Sequence, residues 1–169
     1  SIYERYNVGP DASNEMLDRF IDKVKRYGGV VERVATGDPR LPVNGQGRTF
    51  ITEDGRIKVL LPADRAVKKF ALIDELTHVR QFSNMIKASN PKEVRLLMER
   101  ASAGDRAAKE VLLRWEIKAK KNILLTLDRA DPARRVIEES IRLMEHTRDP
   151  FIHARRRNGS IDWKKISRN

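Results

Sequence analysis

One stretch constrains the fold of this chain more than any other. Between Asp64 and Lys87, the residues Val67, Phe70, Ala71, Leu72, Leu76, Val79, Phe82, Met85 and Ile86 recur three or four apart. That is the period of a helix with one buried face. At ~100° per residue, Lys69, Arg80 and Lys87 fall on its polar side. Glu75 and His78 do not. They project into the apolar arc, flanked by Val67, Ala71 and Phe82 on one side and Leu72, Val79 and Ile86 on the other. A carboxylate and an imidazole three residues apart on a helix are neighbours, able to share a proton, an ion or a substrate atom. An ionised group on a buried face needs a partner or a shifted pKa. The pair therefore marks a candidate site.

A second helix, expected from Asp105 to Leu127, repeats the anomaly. Its apolar arc runs through Ala108, Val111, Leu112, Trp115, Ala119, Ile123 and Leu127, and Glu116 lies inside it. Two amphipathic helices that each place a carboxylate where core is expected are most simply explained if they face one another. Glu75, His78 and Glu116 then form one polar cluster in an apolar wall, with Asp74 and Gln81 at its edge. Such clusters push pKa values apart and host acid–base chemistry. The competing explanation is a structural Glu–His hydrogen-bond network in the core. His146 projects with Arg135, Glu139 and Arg142 on a polar face, and His153 lies in the tail; both read as surface residues.

Around these helices the sequence predicts an α+β fold, mainly α-helical, with a small β-hairpin or short antiparallel sheet packed on about five helices. Residues 1–169 read as one catalytic domain, with an N-terminal arm (1–10) and a basic C-terminal tail (149–169). Asp11 or Ser13 can cap a first helix that ends at Gly28-Gly29. Val30 to Val34 reads as a strand. Residues 36–48, with three glycines and two prolines, read as a long loop that could serve as a substrate flap. Thr49–Thr52 and Ile57–Leu61 flank Asp54-Gly55, a dipeptide favoured in two-residue type I′ turns, and the central helix is expected directly after Pro62. Asn90-Pro91 reads as a break before a helix over Lys92–Ser102, and Asp131-Pro132 forms the cap and first-turn start of a helix over Ala133–Thr147.

The net charge of +11 and the absence of cysteine narrow the chemistry. Disulfides, thiolate zinc sites and a cysteine nucleophile are excluded. No apolar run reaches the ~18 residues that a membrane span requires. A basic excess of this size favours an acidic partner, whether nucleic acid, an anionic surface or an acidic protein. The first residue, Ser1, leads us to expect an excised or processed domain.

The segment Asp74-Glu75-Leu76-Thr77-His78 resembles the HExxH helix of zincin metallopeptidases, with aspartate in place of the first histidine. The resemblance implies His78 as a zinc ligand, Glu75 as general base, and Glu116 on a later helix as a third ligand beside Asp74. One histidine with two carboxylates also suits a harder ion, so the divalent metal is expected to be Zn or Mg/Mn. The wider pattern, Asp74, Glu75, His78 and Gln81 followed by Glu116 and Ala119, resembles the C-terminal catalytic domains of bacterial polymorphic toxins of the contact-dependent or Rhs type. That resemblance implies a domain of a secreted bacterial protein, used in bacterial competition in the target-cell cytoplasm and held in check by an immunity protein, here expected to be acidic.

Joined to the charge, these residues favour a toxin-type hydrolase acting as a nuclease, on RNA rather than DNA. Glu75, His78, Glu116 and Gln81 would be catalytic, with Glu75 as base and His78 as acid. Arg80, Lys120, Arg155, Arg156, Arg157 and Lys164 would contact phosphates, and Trp163 would stack on a base. A zincin-like metallohydrolase using Asp74, His78 and Glu116 is the alternative, and a non-catalytic basic nucleic-acid-binding module the second alternative.

Overall fold

A computed structural model describes residues 9–41 and 47–152. Among the described residues, five helices and three strands follow one another as α1 (Asn14–Arg26), β1 (Val30–Val34), β2 (Arg48–Ile51), β3 (Ile57–Pro62), α2 (Lys69–Ala88), α3 (Pro91–Ser102), α4 (Arg106–Leu124) and α5 (Pro132–Thr147). The fold is α+β and mainly helical. The hairpin strands β2 and β3 pair antiparallel, and β1 joins β3 in parallel, so the three-stranded sheet is mixed in the order β1-β3-β2. Central β3 has no free edge and is covered on both faces, Val59 and Leu61 by side chains of α1 and α2 and Leu60 by Val34, Leu41 and Phe50, which accounts for its near-continuous apolar run; Val59, Leu60 and Leu61 are fully buried.

The helix starts follow capping chemistry. Ser13, Asn90, Asp105 and Asp131 each accept a backbone N–H of the first turn, satisfying a donor that the helix cannot. Three local expectations are corrected. The central helix begins at Lys69, not Asp64. The residues before it are held out of the helix: Asp64 accepts the Thr36 N–H, Val67 accepts from Ala12, and Lys69 donates to the carbonyl of Pro10. The hairpin turn is not the two-residue type. Thr52 and Arg56 still pair, the Gly55 N–H donates to Thr52, and only Gly55 takes a left-handed φ, of 86°; this is a three-residue loop with a bulged glycine. Finally, the tail does not leave the fold at Asp149, since Phe151 is buried with Leu97, Ala101, Ala108 and Leu112.

Helix α2 lies between the sheet and α4. On its sheet side, Leu72 and Val79 join Phe20 and Val24 of α1 with Ile51, Val59 and Leu61. Each such side chain, when fully buried, contributes about 1.5–3 kcal/mol. On its other side α2 meets α4, where Phe82 and Trp115 stack at a tilt with ring centroids 5.7 Å apart. Two buried flanks leave α2 little solvent-facing surface, which is why polar residues at adjacent positions end up in different surroundings.

Candidate metal and acid–base site

On α2, Asp74, His78 and Gln81 share the stripe that faces α4, while Glu75 falls on the next stripe, toward the sheet. Asp74 and His78 meet Glu116 across the helix pair. His78 Nε2 lies 3.3 Å from Glu116 Oε1 and 3.7 Å from Asp74 Oδ2. One ligand atom from each of Asp74, His78 and Glu116 lies within 4.8 Å of the others. Glu116 keeps a third of its side-chain surface exposed and His78 12%, so water reaches the cluster from the α4 side. The facing arrangement of the two helices is as expected from the sequence, and Asp74 stands within the cluster instead of at its rim.

Gln81 orients the imidazole. Its Nε2 donates to the Trp115 carbonyl at 3.1 Å, which leaves Oε1 to accept from His78 Nδ1 at 2.9 Å. Nδ1 therefore carries a proton, and Nε2 is the nitrogen presented to the two carboxylates.

Glu75 occupies a separate place from this contact set. It is buried, and its Oε2 accepts the Thr49 hydroxyl from β2. The backbone at Gly47 crowds it, leaving so little room that a Cβ there would stand 3.1 Å from Glu75 Cγ. Burial first, then the Asp74 charge, push its carboxyl up to about 7, against the lowering influence of His78 and Thr49. Glu75 thus shares the field of the cluster without touching it through a hydrogen bond to His78. For His78, burial disfavours the imidazolium. Glu116, by charge and hydrogen bond, and then Asp74 and Glu75 outweigh that and raise its pKa to about 10.

The candidate phosphate contacts divide. Arg80 is exposed and bonds the Tyr27 hydroxyl through Nε at 3.2 Å. Lys120 is not on the surface: it is buried, with Nζ 2.7 Å from Asp74 Oδ1 and 3.9 Å from Glu116 Oε2. Its expected role as a phosphate contact is corrected, because its ammonium is turned into the cluster. Arg155, Arg156, Arg157, Trp163, Lys164 and His153 lie outside the described residues. His146 is exposed on α5.

Two further residues belong to the site. Thr49 gave no signal in sequence, since a threonine on a short strand is ordinary. Lys120 follows Glu116 by four positions, the spacing of a helical ion pair, and that spacing was readable. Arg48, also buried, lies over the Phe50 ring at 4.9 Å, donates to the Arg40 carbonyl at 3.1 Å, and has its pKa lowered to about 10 chiefly by burial.

Two of the three donor separations suit a divalent ion, and the third is within 4.8 Å. Tetrahedral coordination at the usual bond lengths places ligand atoms about 3.4 Å apart, close to the 3.3 and 3.7 Å separations about His78 Nε2. No protein-family model, curated protein or solved structure matches this chain.

Proposed function

We propose that this domain is a metal-dependent hydrolase with a zincin-like arrangement, Asp74, His78 and Glu116 holding a divalent ion and Glu75 acting as general base. One observation carries the reading: the three ligand atoms converge from two helices to within 4.8 Å, with a third of the Glu116 side chain exposed. An ion bound there supplies a Lewis acid that polarises a scissile carbonyl and makes water acidic near neutral pH. The chain supplies the rest. Gln81 holds the imidazole with Nε2 inward. Glu75, with a carboxyl near 7, has the proton affinity that a base working at neutral pH requires. Thr49 and the backbone at Gly47 exclude water from its inner side. Peptides are the substrate class favoured by the zincin resemblance.

A second reading is supported by the net charge of +11. In a metal-free nuclease, Glu75 would take the proton from a ribose hydroxyl and the His78 imidazolium would protonate the leaving oxygen. Metal content separates the two readings. The hydrolase should purify with, or take up, one Zn, Mn or Mg ion per chain and lose it on His78→Ala. Its activity on a mixed protein substrate should vanish with chelator and drop roughly 10²–10⁴-fold in Glu75→Gln. Chelator-resistant cleavage of total RNA, lost in Glu75→Gln and His78→Ala, would establish the nuclease instead.

A further inference from the structure

Lys120 is the one charged member of the cluster with no part in the scheme above. A lysine is almost never this deeply buried unless paired, and its pairing here is specific. Asp74 turns Oδ2 toward His78 Nε2 and Oδ1 toward Lys120 Nζ. Glu116 turns Oε1 toward His78 Nε2 and Oε2 toward Lys120 Nζ. The imidazole and the ammonium thus take opposite oxygens of the same two carboxylates. An ion seated on the His78 side would leave the Lys120 side intact.

We propose that Lys120 is a charge-balancing residue of the metal centre, paired with the outer oxygens of Asp74 and Glu116 and cancelling the negative charge that an aspartate adds where a neutral histidine would otherwise serve. The inference rests on the metal-hydrolase reading. Two carboxylates, one ammonium and a divalent ion sum to +1, the same sum as two neutral imidazoles, one carboxylate and that ion, the donor set of His₂Glu zinc sites. Without Lys120 the sum falls to zero. The two carboxylates would also keep the His78 imidazole but lose the ammonium as a cationic partner, which makes the metal-free protein less stable and the divalent ion more welcome.

The direction of the effect separates charge balance from simple packing. By competition with a chromogenic chelator, Lys120→Met should bind Zn or Co roughly ten-fold or more tighter than the unmodified protein, as expected for removing a like charge a few ångströms from the ion. Its thermal midpoint should fall in the metal-free form and recover on adding the ion. Lys120→Arg, which keeps the charge, should retain the original affinity. Equal or weaker metal binding by Lys120→Met, or a midpoint that the ion does not restore, would overturn the role. Absence of binding in the unmodified protein would end the hydrolase reading and this role with it, whereas binding by the unmodified protein that Lys120→Met does not tighten would overturn the role alone.

Discussion

Gln81 shows how much one side chain decides at this site. Because its amide nitrogen is committed to the Trp115 carbonyl, its oxygen must face His78 Nδ1, and the imidazole has one orientation. Outer partners of this kind typically contribute 10–100-fold to metal affinity. Gln81→Leu should therefore weaken Zn binding by roughly that factor in a chelator titration, and an unchanged affinity would remove Gln81 from the site. The two shifted groups also set a pH dependence in chelator-treated protein. Glu75 and His78 both have folded values above their ordinary ones, about 7 against 4.5 and about 10 against 6.5. A raised value means that the native state holds the proton more tightly than the unfolded chain. Its stabilisation is complete below the ordinary value and is lost as pH rises through the folded one. The thermal midpoint should accordingly fall between pH 4.5 and about 7 through Glu75, and onward to about 10 through His78. At roughly 2–4 °C per kcal/mol for a chain of this size, the first limb is measurable by differential scanning, and Glu75→Gln should flatten it. A midpoint that climbs with pH would contradict both assignments.

At the scale of elements, the site depends on how β2 and α4 close on α2. The start of β2 passes so near α2 that Gly47 could not carry a side chain without displacing Glu75 Cγ, Leu61 Cδ2 at 3.3 Å or the Leu60 carbonyl at 3.4 Å. Overpacking of this kind costs about 1–3 kcal/mol. Gly47→Ala should lower the thermal midpoint by several degrees and weaken catalysis further by shifting Glu75 from Thr49. Gly37→Ala, where nothing stands within 4 Å, is the control and should change neither. Equal behaviour of the two variants would show that the β2 approach does not constrain Glu75. On the other flank, α4 brings Trp115, Glu116 and Lys120 to α2 together, so the contacts that orient His78 and those that balance its partners come from one helix.

For the molecule as a whole, the +11 charge is a property separate from the cluster. Charge of this kind governs encounter and salt sensitivity more than affinity at a buried site. Binding of RNA or heparin should weaken steeply, about a hundred-fold or more between 50 and 200 mM salt if several phosphates are contacted. It should be unaffected by Glu75→Gln in a filter-binding or anisotropy titration. Loss of polyanion binding in that variant would tie the basic surface to the cluster and favour the nuclease reading.

The sequence by itself determined the helices, their caps and the presence of polar groups where core was due. Apolar spacing and capping residues act within a few positions along the chain, so Ser13 and Asp131 announce their helices without help from distant partners. The facing of Glu116 to His78 was also legible, because two buried polar residues need each other. Only the tertiary structure decided that adjacent residues Asp74 and Glu75 part company, one to α4 and one to the sheet. It alone turned Lys120 inward, away from the solvent where a lysine is ordinarily found, and brought Thr49 to Glu75. A helix advances ~100° per residue, so neighbours in sequence meet different walls, and what stands at each wall is set by packing between elements far apart in the chain.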